Sequence, residues 1–376
     1  MTQWTFSRFA SSQWAAVPPV ASGDLNGKTI VVIGGNAGIG FEAAKHYCQM
    51  NPDKVILACR SEERAEAAVK SLREETNFER VEVSIVDLSN FNSVKALAKQ
   101  LNEEDRLDIL VENAGILPPS EYTPMEDSWE STLQVNHISL SLLSILLLPK
   151  MISTAERFNT HPRLLLVGSD VHMLIKFDKD IVDGESPLKK LSSIEYCTPE
   201  SLQKRYGETK LLNLLFVRAL SDRLPTLTTL IPSCVNPGFC CSSLRKSSTM
   251  TGLDSFKNWA REKVFARTAE EGSRQIIFAS VAGEDPASAD EEQLAKLKGA
   301  YISNSEVAEP SDYVLSEEGK EAQDKLWTDL IKELAVIEPK VLDIVARYLP
   351  DLLISSEGPL PPIYPLSLDR PGSVHP

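Results

Sequence analysis

The sequence predicts an α/β fold built as one doubly wound parallel sheet with helices on both faces. Three observations carry this prediction. The chain of 376 residues is 42% hydrophobic and 24% charged, which are ordinary values for a globular protein. Short apolar runs alternate with longer helical stretches, as they do in βαβ units. A glycine-rich run separates the first apolar run from the first helical stretch, where such a fold needs a tight turn.

The strand candidates are short, mainly apolar runs, as expected for strands covered on both faces. In chain order they are residues 29–33, 55–59, 81–86, 107–111, 164–167 and 227–235, with 300–302 as a seventh. The helical stretches run from the glycine cluster to about residue 50 and then cover residues 61–75, 89–102, about 125–151, 201–224 and about 316–334.

We expect one domain, residues 25–310, with an extension at each end. Residues 1–24 form an N-terminal arm whose aromatic side chains either pack on the domain or make a weak membrane or partner contact; they are Trp4, Phe6, Phe9 and Trp14. Residues 311–376 supply a C-terminal helix and a proline-rich tail. Two long segments, 173–200 and 240–265, break the alternation, and long loops in compact domains tend to be functional.

Composition narrows the function classes. The chain has 39 basic and 53 acidic residues, hence a net charge of −14, which disfavours nucleic acid and anionic membrane surfaces as main partners. The six cysteines form no CxxC pair and the five histidines show no metal spacing, so we predict reduced thiols and no metal site. No signal peptide is evident, and the longest apolar run, 138–149, is too short to span a bilayer. We expect a cytoplasmic protein without a transmembrane segment, with peripheral membrane contact left open.

The glycine run at residues 33–40, IGGNAGIG, predicts dinucleotide binding. Glycines permit a tight turn and a close approach of the backbone to a pyrophosphate, and the following helix offers free N–H groups. A purely structural turn is the alternative. About 20 residues later the acidic residue that would hold the 2′-OH of NAD is absent, and Arg60 stands there instead. A guanidinium suits a 2′-phosphate, which favours NADP(H) over NAD(H) unless Arg60 pairs with Glu62 or Glu63.

Tyr206 and Lys210 lie four residues apart in a predicted helix and therefore on one face. A phenol with a pKa near 10 is a poor acid or base at neutral pH, but a nearby ammonium lowers that pKa. Such a tyrosine could exchange a proton with an alcohol or carbonyl oxygen while a hydride moves to or from a nicotinamide. The pair alone is a weak signal, because this spacing also arises by chance.

Taken in order, the glycine loop, Asn113-Ala114-Gly115, Asn136, Ser169, Tyr206-x-x-x-Lys210 and Pro237-Gly238 resemble the short-chain dehydrogenase/reductase family. The likeness is greatest to its retinol-dehydrogenase-like branch, which has many fungal relatives. It covers about residues 25–340 and implies a Rossmann-type fold. Three departures from the family pattern are Ile33, Glu112 and Gly168, and none removes a catalytic group. The 37 residues from Ser169 to Tyr206 exceed the usual gap, so this insertion should shape a substrate pocket.

The resemblance implies a role for each matching residue. Tyr206 becomes the acid/base, Lys210 binds the nicotinamide ribose and lowers the tyrosine pKa, and Ser169 donates a hydrogen bond to the substrate oxygen. Asn136 would hold a water that links Lys210 to solvent; its simpler interpretation is a helix asparagine bonded to nearby backbone, and that of Ser169 is a turn serine. The implied cofactor-binding residues are Gly34, Asn36, Gly38, Ile39, Gly40, Arg60, Asp87, Leu88, Asn113, Ala114, Gly115, Tyr206, Lys210, Pro237, Gly238 and Ser242.

These features together predict an NADP(H)-dependent oxidoreductase that interconverts an alcohol and a ketone or aldehyde on a lipophilic small molecule. A role in secondary metabolism is implied by the family resemblance alone. A lipophilic substrate is inferred from apolar residues in the segments expected to line the pocket, although the same residues could equally pack within their loops. They are Met173, Leu174, Ile175, Phe177, Phe239, Leu253, Phe256 and Trp259. His172, three residues after Ser169, is interpreted as a surface or hydrogen-bonding residue. Two alternatives stay open, a non-catalytic NADP(H)-binding regulator and an extended-type epimerase or dehydratase. The helix at 136–148 resembles the family's dimer helix, which implies a homodimer, or a monomer if residues 311–349 cover it.

Overall fold

The computed structural model describes residues 5–241, 265–284 and 291–350. An eight-stranded sheet lies at its centre, in the order β3-β2-β1-β4-β5-β6-β7-β8. All neighbouring strands pair in parallel except β7 and β8, which are antiparallel. The strands are β1 (Thr29–Ile33), β2 (Lys54–Cys59), β3 (Val81–Ile85), β4 (Ile109–Glu112), β5 (Arg163–Val167), β6 (Ile231–Asn236), β7 (Ala300–Ser303) and β8 (Glu306–Ala308).

Helices cover both faces of the sheet, as the apolar runs predicted. Along β1, Val31 and Ile33 point into one hydrophobic cluster while Ile30 and Val32 point into the other, so both sides of the strand are buried. The helices are α1 (Phe6–Trp14), α2 (Gly38–Gln49), α3 (Glu62–Thr76), α4 (Phe91–Glu103), α5 (Ser131–Phe158), α6 (Lys179–Val182), α7 (Pro187–Ser192), α8 (Pro199–Arg223), α9 (Ala269–Val281), α10 (Glu291–Leu297), α11 (Asp312–Leu315), α12 (Glu317–Ile337) and α13 (Lys340–Tyr348). The doubly wound Rossmann-type architecture is confirmed.

Several predicted boundaries were wrong. The sixth strand begins at Ile231 rather than at residue 227, because Pro225 to Thr228 form a turn that leaves Leu227 95% exposed. The long helix begins at Ser131 rather than near residue 125, since the Glu130 carboxylate accepts the N–H groups of Thr132 and Leu133 and caps the helix there. The sheet is not wholly parallel, because β8 returns antiparallel to β7 through a two-residue turn.

The helix α5 extends beyond both ends of the apolar run at residues 138–149. This helix of 28 residues is long enough and apolar enough to cross a membrane. However, 83% of its most apolar 18-residue stretch is buried inside the protein. It packs against α4 and α13 as a core helix. Residues 134–138 within it form one π-helical turn, which matters for the site described below.

The insertion after β5 and the helix α8 pack against the C-terminal helices. The insertion after β5 contains a 3₁₀ turn, Asp170–Leu174, followed by α6 and α7. The C-terminal helices cover it and the neighbouring α8: the Leu188 N–H donates to the Asp329 carboxylate at 2.8 Å, and Trp327 stacks on Phe216 at 5.7 Å between ring centroids. The sequence predicted only one helix here, whereas α11, α12 and α13 follow in succession.

Candidate active site

A deep cleft of about 1320 Å³ opens at the carboxyl ends of the parallel strands. The order of the strands reverses between β1 and β4, which is where α/β sheets bind nucleotides. Residues within two positions of the ends of β1 to β6 line this cleft: Gly34, Arg60, Asp87, Asn113, Ser169 and Pro237. A single ligand pocket usually measures about 300–1,000 Å³, so the cleft has room for a dinucleotide and a substrate together.

The glycine loop between β1 and α2 is packed too tightly for side chains. Gly34 has φ +79°, and a Cβ there would lie 3.0 Å from the Cα of Ala114. A Cβ on Gly40 would lie 2.5 Å from the Gly34 carbonyl oxygen and from the Asn113 amide. The Asn113 Nδ2 donates to the Gly34 carbonyl at 3.2 Å and ties the two cofactor segments together. Gly40 therefore supports the loop from beneath and does not itself line the cleft, unlike Asn36, Gly38 and Ile39.

The N-terminus of α2 faces this cleft without a side-chain cap. Ala37 occupies the N-cap position and has no oxygen to offer, whereas Ser61 and Asn90 cap α3 and α4 through their side chains. The first amides of a helix need acceptors, and the helix dipole adds positive potential. An uncapped helix start beside a glycine loop is suited to a phosphate group.

Arg60 lies exposed at the end of the cleft that follows β2. It forms no ion pair with Glu62 or Glu63, which was the competing expectation from the sequence. Asp87 lines the cleft after β3. Its Oδ1 accepts two hydrogen bonds from Ser89, one from the N–H at 2.9 Å and one from the Oγ at 2.7 Å, and these fix the carboxylate. Leu88, Ala114, Gly115 and Gly238 line it as well.

Lys210 lies on α8 with its ammonium buried beside the end of β5. The Nζ donates to the Val167 carbonyl at 2.6 Å and lies 5.4 Å from the centroid of the Tyr206 ring. Burial lowers the pKa of Lys210 to about 8, with the nearby Cys234 acting in the opposite direction. The lysine therefore remains mostly charged at neutral pH and carries its positive charge close to the phenol ring.

Tyr206 and Ser169 line the same cleft from two different elements. Tyr206 is one turn before Lys210 on α8, and the close packing of Gly207, where a Cβ would lie 2.7 Å from Ile175, fixes this part of the helix against the insertion. Ser169 is the N-cap of the 3₁₀ turn after β5, so its Oγ accepts from the Val171 N–H at 3.4 Å and donates to Asp170 Oδ1 at 3.3 Å. Strand end and helix thus bring the predicted hydroxyl pair to one cavity.

Asn136 lies behind the cleft, fully buried in the π turn of α5. Its Oδ1 accepts from the Ile116 N–H at 2.7 Å and its Nδ2 donates to the Ile116 carbonyl at 2.9 Å. These bonds join α5 to the strand end that carries Asn113 to Gly115. The geometry is that of an asparagine bonded to nearby backbone, and its water-holding role remains a prediction.

His172 is buried rather than on the surface. Its Nδ1 is 2.7 Å from the Ser169 carbonyl oxygen, and its Nε2 accepts from the Ser311 N–H at 3.3 Å. These contacts assign the proton to Nδ1, and burial lowers the histidine pKa to about 4. A neutral His172 therefore links the turn that carries Ser169 to the C-terminal extension.

Several cleft residues were not predicted from the sequence. Asp170, Arg64, Cys240, Phe9 and Phe265 all line it. Arg64 follows Arg60 by four residues, and this spacing could have identified it from the sequence. Phe9 and Phe265 come from distant segments, and no local pattern in the sequence places them at the cleft. Ser242, Leu253, Phe256 and Trp259 lie outside the residues that the structure describes. Across residues 5–241, 265–284 and 291–350, no cluster of His, Cys, Asp and Glu is suited to a metal ion.

Comparisons with known proteins agree with this geometry. A family model described as short chain dehydrogenase matches residues 28–158. The short chain dehydrogenase/reductase dmxR8 of Cryptosporiopsis sp. is 36% identical over 340 residues, which cover 89% of this chain and 98% of that protein. The short-chain dehydrogenase anuD of Penicillium roqueforti is 33% identical over 344 residues, covering 89% and 84%.

Solved structures share the fold at low sequence identity. A short chain dehydrogenase from Burkholderia cenocepacia in complex with NADP is 20% identical, with a TM-score of 0.51 over 69% of this chain and 93% of that one. The Pseudomonas aeruginosa RhlG/NADP active-site complex is 21% identical, with a TM-score of 0.52 over 69% and 91%.

Proposed function

Because the chain belongs to the short-chain dehydrogenase/reductase family, we propose that it is an NADP(H)-dependent oxidoreductase. It interconverts an alcohol and a ketone or aldehyde on a lipophilic small molecule. The observation that carries the proposal is that Tyr206 and Ser169 line one cleft with the glycine loop, while the ammonium of Lys210 lies 5.4 Å from the Tyr206 ring. We include a cytoplasmic location and a place in secondary metabolism as expectations.

The residues around the cleft fit NADP(H). The uncapped start of α2 and the glycines that admit no Cβ suit the pyrophosphate. The guanidinium of Arg60, which lines the cleft and forms no ion pair with its acidic neighbours, suits a 2′-phosphate. Complexes of two structural relatives with NADP support the same cofactor.

For reduction, the bound cofactor would supply a hydride to the carbonyl carbon of the substrate. The Tyr206 phenol gives its proton to the carbonyl oxygen, which becomes the alcohol, and the Lys210 ammonium stabilises the phenolate that remains. The Ser169 hydroxyl donates a hydrogen bond to the same oxygen and orients the carbonyl. In oxidation the proton moves in the opposite direction, from the alcohol to the phenolate.

We also propose that the protein is a monomer. The helix α13 packs on α5, and Trp327 of α12 stacks on Phe216 of α8. The packing of α13 on α5 covers part of the helix that the resemblance suggested for a homodimer, and this covering supports a monomer.

The test is NADPH oxidation by the purified protein across a panel of lipophilic aldehydes and ketones, with Tyr206→Phe as the blank. We expect turnover that disappears in the variant while NADPH still binds. Equal turnover of the variant would contradict the assignment of Tyr206. A product formed without net redox change would favour the epimerase or dehydratase alternative.

A further inference from the structure

The N-terminal helix α1 is fastened to the turn that follows β6. The Gln13 Oε1 accepts from the Phe239 N–H at 3.1 Å, and the Ser12 carbonyl accepts from Arg267 Nη2 at 2.7 Å. The Ser12 hydroxyl also accepts from Asn304 Nδ2 at 3.1 Å. Downstream of α1, the Pro18 carbonyl accepts from Arg274 at 3.1 Å, so the arm is held at more than one point.

The contact between α1 and this turn is close. Gly238 has φ +80°, and a Cβ there would lie 3.1 Å from the Gln13 side chain and 2.9 Å from Arg267. The positive φ and these close contacts both favour a glycine at residue 238. This is the same Pro237-Gly238 turn that the family resemblance implies to be cofactor-binding.

Phe9 carries the arm into the cleft itself. It lines the cavity together with Phe239 and Phe265, and we call these three residues the aromatic wall. The Phe9 ring meets Phe239 edge-on at 6.2 Å and 72°, and Phe265 at 5.9 Å and 45°. All three side chains are half-buried rather than part of the core. Trp14 stacks on Phe265 at 5.2 Å and is not among the residues that line the cleft.

We propose that α1 is part of the substrate site and that the aromatic wall receives a flat aromatic or polycyclic portion of the substrate. This inference rests on the proposed function and names the substrate class for that same cleft. Aromatic rings attract one another edge-on or offset at centroid distances of about 4.5–7 Å, beyond the gain from buried area. A flat ring therefore profits from Phe9 more than an alkyl chain of similar size, which gains burial alone.

The test compares two methyl ketones that share the reacting group, 2-acetylnaphthalene and 2-octanone. Calorimetry measures their binding to the protein with and without NADP⁺, and NADPH oxidation gives KM and kcat. We expect Phe9→Ala to weaken the binding of 2-acetylnaphthalene about tenfold and that of 2-octanone less than threefold. The naphthyl ketone loses both an aromatic partner and buried apolar area, whereas 2-octanone loses only buried area. Phe9→Leu, which keeps apolar bulk, should restore 2-octanone fully and the naphthyl ketone only in part.

Ser11→Ala, on the exposed face of α1, is the matched control and should leave the binding of both ketones unchanged. Thermal unfolding and the NADP⁺ dissociation constant of each variant separate a local effect from misfolding. Equal losses for the two ketones, no loss in Phe9→Ala, or no binding of 2-acetylnaphthalene to the wild type would overturn the inference. Failure of the proposed function is distinct: NADP⁺ would not bind or no ketone would turn over, although the naphthyl ketone still bound through Phe9.

Discussion

The side-chain amide of Asn213 donates a hydrogen bond of 2.9 Å to the backbone carbonyl of Asn136. The same side chain meets the next residue of the π turn, since its Oδ1 lies 2.9 Å from His137 Nδ1. Asn213 is one turn after Lys210 on α8, so one amide joins the helix of the predicted acid/base pair to the π turn that holds Asn136. The pKa of His137 is lowered to about 4 by burial, which keeps this ring neutral.

We expect Asn213→Ala and His137→Ala each to lower the free energy of unfolding by about 1–3 kcal/mol, because each leaves a buried polar partner unsatisfied. The two losses should not add, since both remove the same contact. A double-mutant cycle by urea unfolding measures the coupling. Strictly additive losses would show that the two side chains act independently.

Lys210→Met should abolish turnover and yet stabilise the protein at pH 7. The folded-state pKa is about 8 against 10.5 for an ordinary lysine, so below pH 8 the buried ammonium costs about 3 kcal/mol. Between pH 8 and 10.5 the unfolded chain binds more protons than the folded one, and the wild type gains stability as pH rises. The advantage of the variant should therefore shrink from pH 8 towards pH 10. Denaturant unfolding at several pH values checks this, and a constant difference would refute it.

Glu112 should show the opposite pH dependence. Its carboxyl is fully buried in β4 with Ser144 as hydrogen-bond donor to one oxygen at 3.0 Å, and burial raises its pKa well above 4.5. As pH rises above 4.5 the unfolded chain releases its proton first, so the wild type loses stability. We expect Glu112→Gln to raise Tm by several degrees at pH 8 and much less at pH 4.5. Calorimetry at both pH values measures this, and an equal shift at both would point to packing instead.

Arg60→Ala should weaken NADPH binding about 10- to 100-fold and leave NADH binding unchanged, because a charge-assisted bond to a phosphate is worth about 1.5–3 kcal/mol. Lys70→Ala removes a positive charge from the exposed side of α3, the helix that follows Arg60, and serves as the control. Nucleotide fluorescence titration gives the two dissociation constants. If both nucleotides weaken alike, Arg60 does not read the 2′-phosphate.

The mass of the protein in solution tests whether the covered helix α5 is unavailable for dimer formation. Light scattering at micromolar concentration should give the monomer mass of 41.5 kDa. Removal of residues 338–376 should uncover the face of α5 that α13 packs against and favour self-association or aggregation. A wild-type dimer would show that association uses another surface.

The sequence predicted those parts of the structure that depend on local pattern. The alternation of strands and helices, the glycine loop and the position of Arg60 follow from neighbours within a few turns. The start of α5 was not predicted correctly because its N-cap is a glutamate, Glu130, rather than a residue typical of N-caps. Leu227 was assigned to a strand on its apolar character, although isolated exposed apolar residues are common.

Contacts across long sequence separations could not be predicted in this way. Asn213 and Asn136 are 77 residues apart, and Phe239 and Gln13 are 226 apart. Each residue has an unremarkable local context, and only the fold makes them neighbours. The aromatic residues of the arm were visible in the sequence, but their position on the cleft required the docking of α1.

The two edges of the sheet differ in how they meet solvent. At one edge β8 has only three residues, of which Glu306 and Val307 are exposed. A strand this short presents too few backbone groups to pair stably with a strand of another chain. At the other edge β3 presents exposed Glu82, whose carboxylate lies 3.3 Å from the Lys54 ammonium. Short length and charge are the means by which natural sheets avoid edge-to-edge association. The antiparallel return after β7 therefore protects a long parallel sheet from becoming a template for aggregation.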